Sequence, residues 1–291
     1  RLLAFNSMLC ADHPHLLDAI RLYMSTLDST VKIRRICLAV AGPIETDLID
    51  LPNSHWAFSR SELQKILDIE VVVINDFTAQ LLSVPTLSEH ELIWLGPARV
   101  QQKLVIAALG PGTGLGVAGM TVGGEIIPSE GGHLAFAPVD EHEVDLLRWL
   151  WRHYPRVSVE RILSGPGLLA LYQANTVLSG QTTPQITSAA QLTQLAHKGS
   201  EVALQSIQDF AAILGSVAGE VAIAMGARGG VYLAGGVLSH IEGLYPQELL
   251  RSRFNAKGRF TEYCAAIPLA LLRAEHTGLR GCVYALRHNY Q

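Results

Sequence analysis

Cysteine is scarce in this chain of 291 residues, and the four present, Cys10, Cys37, Cys264 and Cys282, lie far apart with no CxxC pair. That spacing argues against a disulfide framework or a cysteine zinc site and suits a reducing cytosol. Charge of one sign is missing too. The 22 Lys+Arg face 26 Asp+Glu without any basic run, for a net charge of −4. Binding to nucleic acid or to an anionic membrane therefore has no electrostatic support. Residues 1 to 20 lack an uninterrupted apolar core behind basic residues, so no signal peptide is expected. The most membrane-like stretch, 210 to 237, contains Glu220 and Arg228 and follows Asp209. It reads as a buried helix and then a strand. There is no low-complexity segment, no short-period repeat and no GxxxxGK[ST] phosphate loop. What the chain does have is 49% hydrophobic residues and 26 glycines. It is globular and loop-rich, with enough length for one large domain or two modest ones.

The hydrophobic pattern alternates strands with helices. Residues 1 to 6 read as a strand, and Asp12 and Pro14 as the start of an amphipathic helix carrying Leu16, Leu17, Ile20, Met24 and Leu27. Ile36, Leu38 and Val40 mark a strand that ends at Ala41-Gly42-Pro43. Ser59 and Glu62 form a capping-box pattern ahead of a helix with Leu63, Ile66 and Leu67. Val71 to Ile74 is a run of four β-branched residues, expected to be buried on both faces. Past Pro85 a second unit begins with a strand at Leu104 to Leu109. It continues with a helix boxed by Asp140 and Glu143, a long helix over about 201 to 225, and glycine, strand, glycine loop at 229 to 237. This is an α/β chain.

Several polar residues stand at element ends. Asn75-Asp76 closes the strand at 71 to 74, and Asp76 could be a plain helix N-cap or a ligand-facing carboxylate. "GLGVAG", 114 to 119, has the GxGxxG spelling, but Val117, Met120, Thr121 and Val122 read as a strand running into the Gly123-Gly124 turn. A dinucleotide fold needs a helix there, so that reading fails. A strand–loop–strand hairpin over Gly112, Thr113 and Gly114 can still offer backbone N–H groups and a hydroxyl to phosphate. A tight turn without ligand is the plainer alternative. The Gly235-Gly236 pair is weaker alone and could simply end a strand. Glu130 and His133 flank a glycine pair, and Glu160 precedes a Gly-Pro turn. A lone histidine is often structural, and Glu160–Arg161 could be a surface charge pair. Carboxylates and imidazole at element ends nonetheless suit a polyhydroxylated ligand.

The stretches "AGPIETDLIDLPNSHWAFS" (41–59), "INDFTAQ" (74–80), "LGPGTGLGVA" (109–118), "EGGHLAFAP" (130–138), "ERILSGPGL" (160–168), "GGVYLAGGV" (229–237) and "KGRFTEY" (257–263) occur in this order. Together they resemble the bacterial ATP-dependent glucokinases of the sugar kinase, actin and Hsp70-type ATPase superfamily. The zinc-binding cysteine cluster of the related repressor/kinase group is absent.

The resemblance implies a two-domain α/β fold of the actin-like, ribonuclease H-like ATPase type, with the sugar in a cleft between a small and a large domain. The small domain is expected over 1–85, completed by a C-terminal helix over 274–291, and the large domain over 86–273. The implied activity is transfer of the ATP γ-phosphate to the 6-hydroxyl of glucose. Asp76 matches the catalytic base and Asn75 a glucose-binding amide, while Glu130, His133 and Glu160 match sugar-hydroxyl ligands. Gly112, Thr113 and Gly114 match a phosphate loop, and Gly235 and Gly236 the adenosine side. ATP and Mg²⁺ are the expected cofactors, with no protein metal-ligand cluster, and glucose is the expected partner in a cytoplasmic enzyme. A homodimer is left open. The family begins with a strand hairpin bearing an aspartate and a Gly-Gly-Thr turn. No such motif precedes Arg1 in the sequence, and residues 1–6 resemble the strand after it. On that reading the chain is expected to hold MgATP poorly. The alternatives are a catalytically impaired sugar-binding or regulatory relative and a superfamily ATPase acting on another partner.

Overall fold

Regular structure starts later than the sequence pattern suggests. The computed structural model describes residues 3–51, 54–100, 103–288 and 290. Residues 3–6 form no strand, and Arg1 and Leu2 lie outside the described residues. Asp12 closes a short 3₁₀ turn, and helix α1 covers Leu16–Ser25. Its cap is His15, boxed with Asp18, whose carboxylate accepts the His15 N–H at 3.2 Å. An imidazole cap is easily missed in a sequence, because Asp and Ser are the usual signals. Leu27 falls beyond the helix.

Two compact units divide the chain, Arg1–Ser88 with Ala274–Gln291 and Glu89–Arg273. In the first, strand β1 (Arg35–Val40) is followed by a small hairpin, β2 (Leu48–Asp50) with β3 (Ala57–Ser59), that the sequence pattern does not announce. Three-residue strands are too short for a period-2 signal. Helix α2 (Arg60–Leu67) starts at Ser59, whose hydroxyl accepts the Glu62 N–H at 3.0 Å. Among the described residues the reciprocal arm from Glu62 is not formed, so the box is half made. Strand β4 (Glu70–Asn75) pairs in parallel with β1. Val71 and Val73 join Val40, Ile49 and Leu63 in one apolar cluster, whereas Val72 and Ile74, on the opposite face by alternation, are buried as well. The β-branched run is covered on both faces, as its composition predicts. Helix α3 (Asp76–Ser83) follows without a break.

The second unit is built on a six-stranded sheet of order β5-β10-β9-β6-β7-β8. Its elements are β5 (Leu92–Trp94), β6 (Ile106–Pro111), β7 (Leu115–Met120), β8 (Ile126–Ser129), α4 (Glu141–Trp151), α5 (Gly165–Ser179), α6 (Ala189–His197), α7 (Glu201–Met225), β9 (Gly230–Leu233), α8 (Gly236–Ile241), α9 (Gln247–Asn255), α10 (Thr261–Ala265) and β10 (Leu269–Leu272). Strands β6, β7 and β8 form an antiparallel meander, and β9 and β10 extend it in parallel to β6. This is the ribonuclease H-like arrangement that the resemblance implies. Helix α7 runs from its Ser200 cap to Gly226, where the sequence reading sets it. It is long and apolar enough to cross a membrane, yet 78% of its most apolar window is buried in the unit, as expected of a core helix.

Asp140 caps α4 through the Glu143 N–H at 2.9 Å, but Glu143 does not complete the expected box. Its buried carboxylate accepts from Val139 N–H at 3.0 Å and pairs with Arg253. Burial nevertheless raises its pKa above the usual glutamate value. Buried Asp209 is likewise satisfied internally, by His142, Asn175 and Gln205. Both carboxylates serve the fold. The chain then returns to the first unit with α11 (Thr277–Arg287), which packs on α3 and β1.

Candidate active site

In the first unit, Asn75 and Asp76 stand at the carboxyl end of β4. The cap of α3 belongs to Asn75, not to Asp76. Asn75 Oδ1 accepts the Phe77 N–H at 2.9 Å and the Thr78 N–H at 3.2 Å, and Asp76 is the first residue of the helix. This corrects the plain reading of Asp76 as the cap. Either residue type can cap, so only backbone geometry decides between adjacent candidates. With its oxygen committed, Asn75 has its Nδ2 left as a donor. The Asp76 carboxylate is half-buried, and Oδ1 accepts the Phe77 N–H at 2.8 Å. Burial pushes its pKa above the usual aspartate value, and the backbone N–H bonds oppose the rise. No side chain among the described residues neutralises it.

In the second unit, a three-residue turn joins β6 to β7 through Gly112, Thr113 and Gly114, closed by Gly112 N–H on Gly114 O at 2.8 Å. The residues after it form β7, so the GxGxxG spelling opens a strand. Two bonds tie this turn to the distant "ERILSGPG" segment. Leu115 N–H donates to Glu160 Oε2 at 2.9 Å, and Gly165 N–H donates to Gly112 O at 2.8 Å. A Cβ on Gly114 would run into the Glu160 carboxylate, so glycine permits this approach. Ser164, buried, caps α5 by accepting the Gly167 N–H at 3.1 Å. The segment read as a Gly-Pro turn is thus a helix start. Its signal was legible, since Ser164 precedes a proline in the first helical turn.

Glu130 and His133 bracket a 3₁₀ turn after β8, with Nε2 and Oε2 3.7 Å apart and side chains 60% and 91% exposed for His133 and Glu130 respectively. Backbone bonds sew this segment to that of Glu160: Phe136 N–H to Val157 O at 3.1 Å and Val159 N–H to Leu134 O at 2.8 Å. Arg161 lies over the Tyr154 ring at 4.6 Å instead of serving Glu160. Gly235 and Gly236 follow β9, the parallel neighbour of β6. The ladder continues through Ala234 N–H to Leu109 O at 2.8 Å. Gly235 has φ 107°, and a Cβ there would strike the Pro111 carbonyl. Glycine is required on both counts. The pair also opens a short helix that the sequence pattern does not show. The structure therefore gathers Glu130, His133, Glu160, the 112–114 turn and the 235–236 pair within the second unit, at the carboxyl ends of β6 and β9 and beside β8. Parallel α/β sheets keep their ligands at such ends.

The glucokinase family model matches residues 1–289. The glucokinase of Chromohalobacter salexigens is 41% identical over 284 residues, covering 96% of this chain and 88% of that relative. The chain belongs to the glucokinase family. A crystal structure of the glucokinase from an Antarctic psychrotroph superposes with a TM-score of 0.90 at 34% identity, covering 97% of this chain and 89% of that one. The chain also matches the bifunctional protein glk of Burkholderia lata, 37% identical over 275 residues. That match covers 93% of this chain and 43% of the Burkholderia protein. The fold is that of a sugar kinase, and the activity is ATP-dependent transfer of the γ-phosphate to the 6-hydroxyl of glucose. These relatives lend no support to a non-catalytic sugar binder or to an ATPase acting on another partner.

Proposed function

We propose that Asp76 is the general base of the glucokinase reaction, with Asn75, Glu130, His133 and Glu160 as hydrogen-bonding partners of the sugar. The observation that carries this reading is the division of labour at the end of β4. Asn75 takes the cap, and among the described residues the half-buried Asp76 carboxylate is engaged only by backbone N–H groups, that of Phe77 and its own. Phosphoryl transfer asks mainly for alignment and charge neutralisation. Asp76 orients the 6-hydroxyl and accepts its proton as the bond to phosphorus forms. Asn75 Nδ2 donates to a hydroxyl, and the two glutamates accept from vicinal hydroxyls. Glu160 is already held by Leu115 N–H, so its pose is set before sugar arrives.

ATP is assigned to the Gly112, Thr113 and Gly114 turn for its phosphates and to Gly235 and Gly236 for the adenosine side. Among the described residues no three of His, Cys, Asp and Glu converge as a metal cage. Mg²⁺ would enter with ATP, bound by phosphate oxygens, water and one or two carboxylates as is usual in kinases. The ion neutralises phosphate charge. The same reading places the enzyme in the cytoplasm, which suits four unpaired thiols.

Glu130→Gln, His133→Ala and Glu160→Gln are expected to weaken glucose binding with little change for ATP. Each loses a hydrogen bond to the sugar, on the order of 1–3 kcal/mol where a charged group takes part. Glu160→Gln is the most informative, because its side-chain oxygen can still accept from Leu115 N–H and keep the turn in place. Calorimetric titration with glucose measures all three. Unchanged sugar affinity throughout would move the sugar site elsewhere.

The base assignment also sets a pH dependence. Asp76 works deprotonated, so kcat/KM should rise with pH through its folded pKa, which burial has lifted above the usual aspartate value. The acid limb should therefore lie above the ordinary aspartate value. The sign for stability is opposite. A raised carboxylate pKa means ionisation opposes folding, so this contribution is present at low pH and lost as pH rises through the folded pKa. An acid limb at or below an ordinary aspartate value would remove Asp76 from the role.

A further inference from the structure

The second unit holds a cavity of about 540 Å³ that the kinase reaction leaves unused. Its lining comes from the segments that precede the parallel strands: Ala98, Arg99 and Leu104 before β6, Arg228 before β9, and Tyr263 and Pro268 before β10. This is the amino end of those strands, whereas the 112–114 turn and the 235–236 pair leave their carboxyl ends. A six-residue strand spans roughly 20 Å, so the cavity and the kinase site occupy opposite ends of the sheet.

Among the described lining residues two are arginines and none is acidic. Arg99 is held in place: Nη1 donates to the carbonyls of Gly96 at 2.7 Å and Ala98 at 3.0 Å, and the guanidinium lies over Trp94, 5.2 Å from the ring centroid. Those contacts leave Nη2 and Nε free to donate side by side to two oxygens of one anion. Arg228 is exposed two residues past Gly226, the left-handed residue that ends α7. The negative end of that helix favours a cation there. No side-chain partner satisfies Arg228 among the described residues. Tyr263 adds a phenol, and Ala98, Leu104 and Pro268 supply apolar wall.

We propose that this cavity is a binding site for a small phosphate monoester, distinct from the hexose and nucleotide site. The phosphate takes the two guanidiniums, whose combined charge matches a dianion, and a short carbon chain lies against the apolar wall. The assignment does not depend on the roles given to Asp76 or the sugar ligands.

Calorimetric titration of the full chain with glycerol 3-phosphate, and separately with inorganic phosphate, tests it. One saturable site is expected, with the ester bound more tightly than phosphate. Arg228→Gln should weaken the ester by about tenfold or more, as should Arg99→Gln, the size of a lost charge-assisted bond. Without ester, kcat and both KM values should match the unaltered enzyme. Because Arg99 also braces its own loop, the exposed Arg228 is the deciding variant. No saturable binding, or binding that Arg228→Gln leaves unchanged, overturns the site, the second outcome placing the ester on the catalytic phosphate turn. Equal affinity for inorganic phosphate overturns the monoester class.

Discussion

Asp76→Asn should lower kcat by about 10²–10⁴, the range for loss of a positioned general base, while glucose affinity changes little. Two features make this substitution clean. The α3 cap stays, because Asn75 provides it. The new amide oxygen can also keep the Phe77 N–H bond that Asp76 Oδ1 makes at 2.8 Å. Removing a half-buried charge whose ionisation burial disfavours should leave the melting temperature unchanged or higher. Steady-state kinetics beside thermal unfolding therefore separate chemistry from folding. A variant that turns over at the normal rate would reduce Asp76 to a residue of the first helical turn.

Gly281→Val should abolish activity from a position with no role in the chemistry. Gly281 lies on α11, and a Cβ there would collide with the backbone of Ala79 on α3. The obstacle is main chain, which cannot rotate aside as a side chain can. The two helices must separate, and α3 is the helix that Asn75 caps and Asp76 begins. Overpacking at such a contact should cost roughly 3 kcal/mol or more. Denaturant unfolding should show a midpoint far below that of the unaltered enzyme. Gly278→Ala is the control: a Cβ at Gly278 meets nothing within 4 Å. Its stability should hold. Equal stability in Gly281→Val would mean that the α3–α11 contact tolerates separation.

The parts of the site that were legible share a local cause. Glycine clusters and strand-ending polar residues are visible within ten residues of chain. What stayed hidden was the partner of each group. Glu160 meets Leu115 across a separation of 45 residues, and Glu143 meets Arg253 across 110. Nothing near Glu160 in sequence announces the first contact. Glu143 even carried a false signal, since its spacing from Asp140 fits a capping box that a distant arginine overrides.

By itself the sequence determined the α/β class, the β-branched strand at 71–74, the full span of α7 between Ser200 and Gly226, and the hairpin nature of the 112–114 turn. Each follows from side-chain periodicity or a cap, forces that act between near neighbours. Only the tertiary structure decided that Asn75 and not Asp76 caps α3, that His15 starts α1, and that the short strands β2, β3 and β5 exist at all. A three-residue strand is too brief to carry a period, and it forms because a neighbour satisfies its backbone. The choice between two adjacent caps rests on which backbone turns first, and the packing around the end of β4 sets that turn.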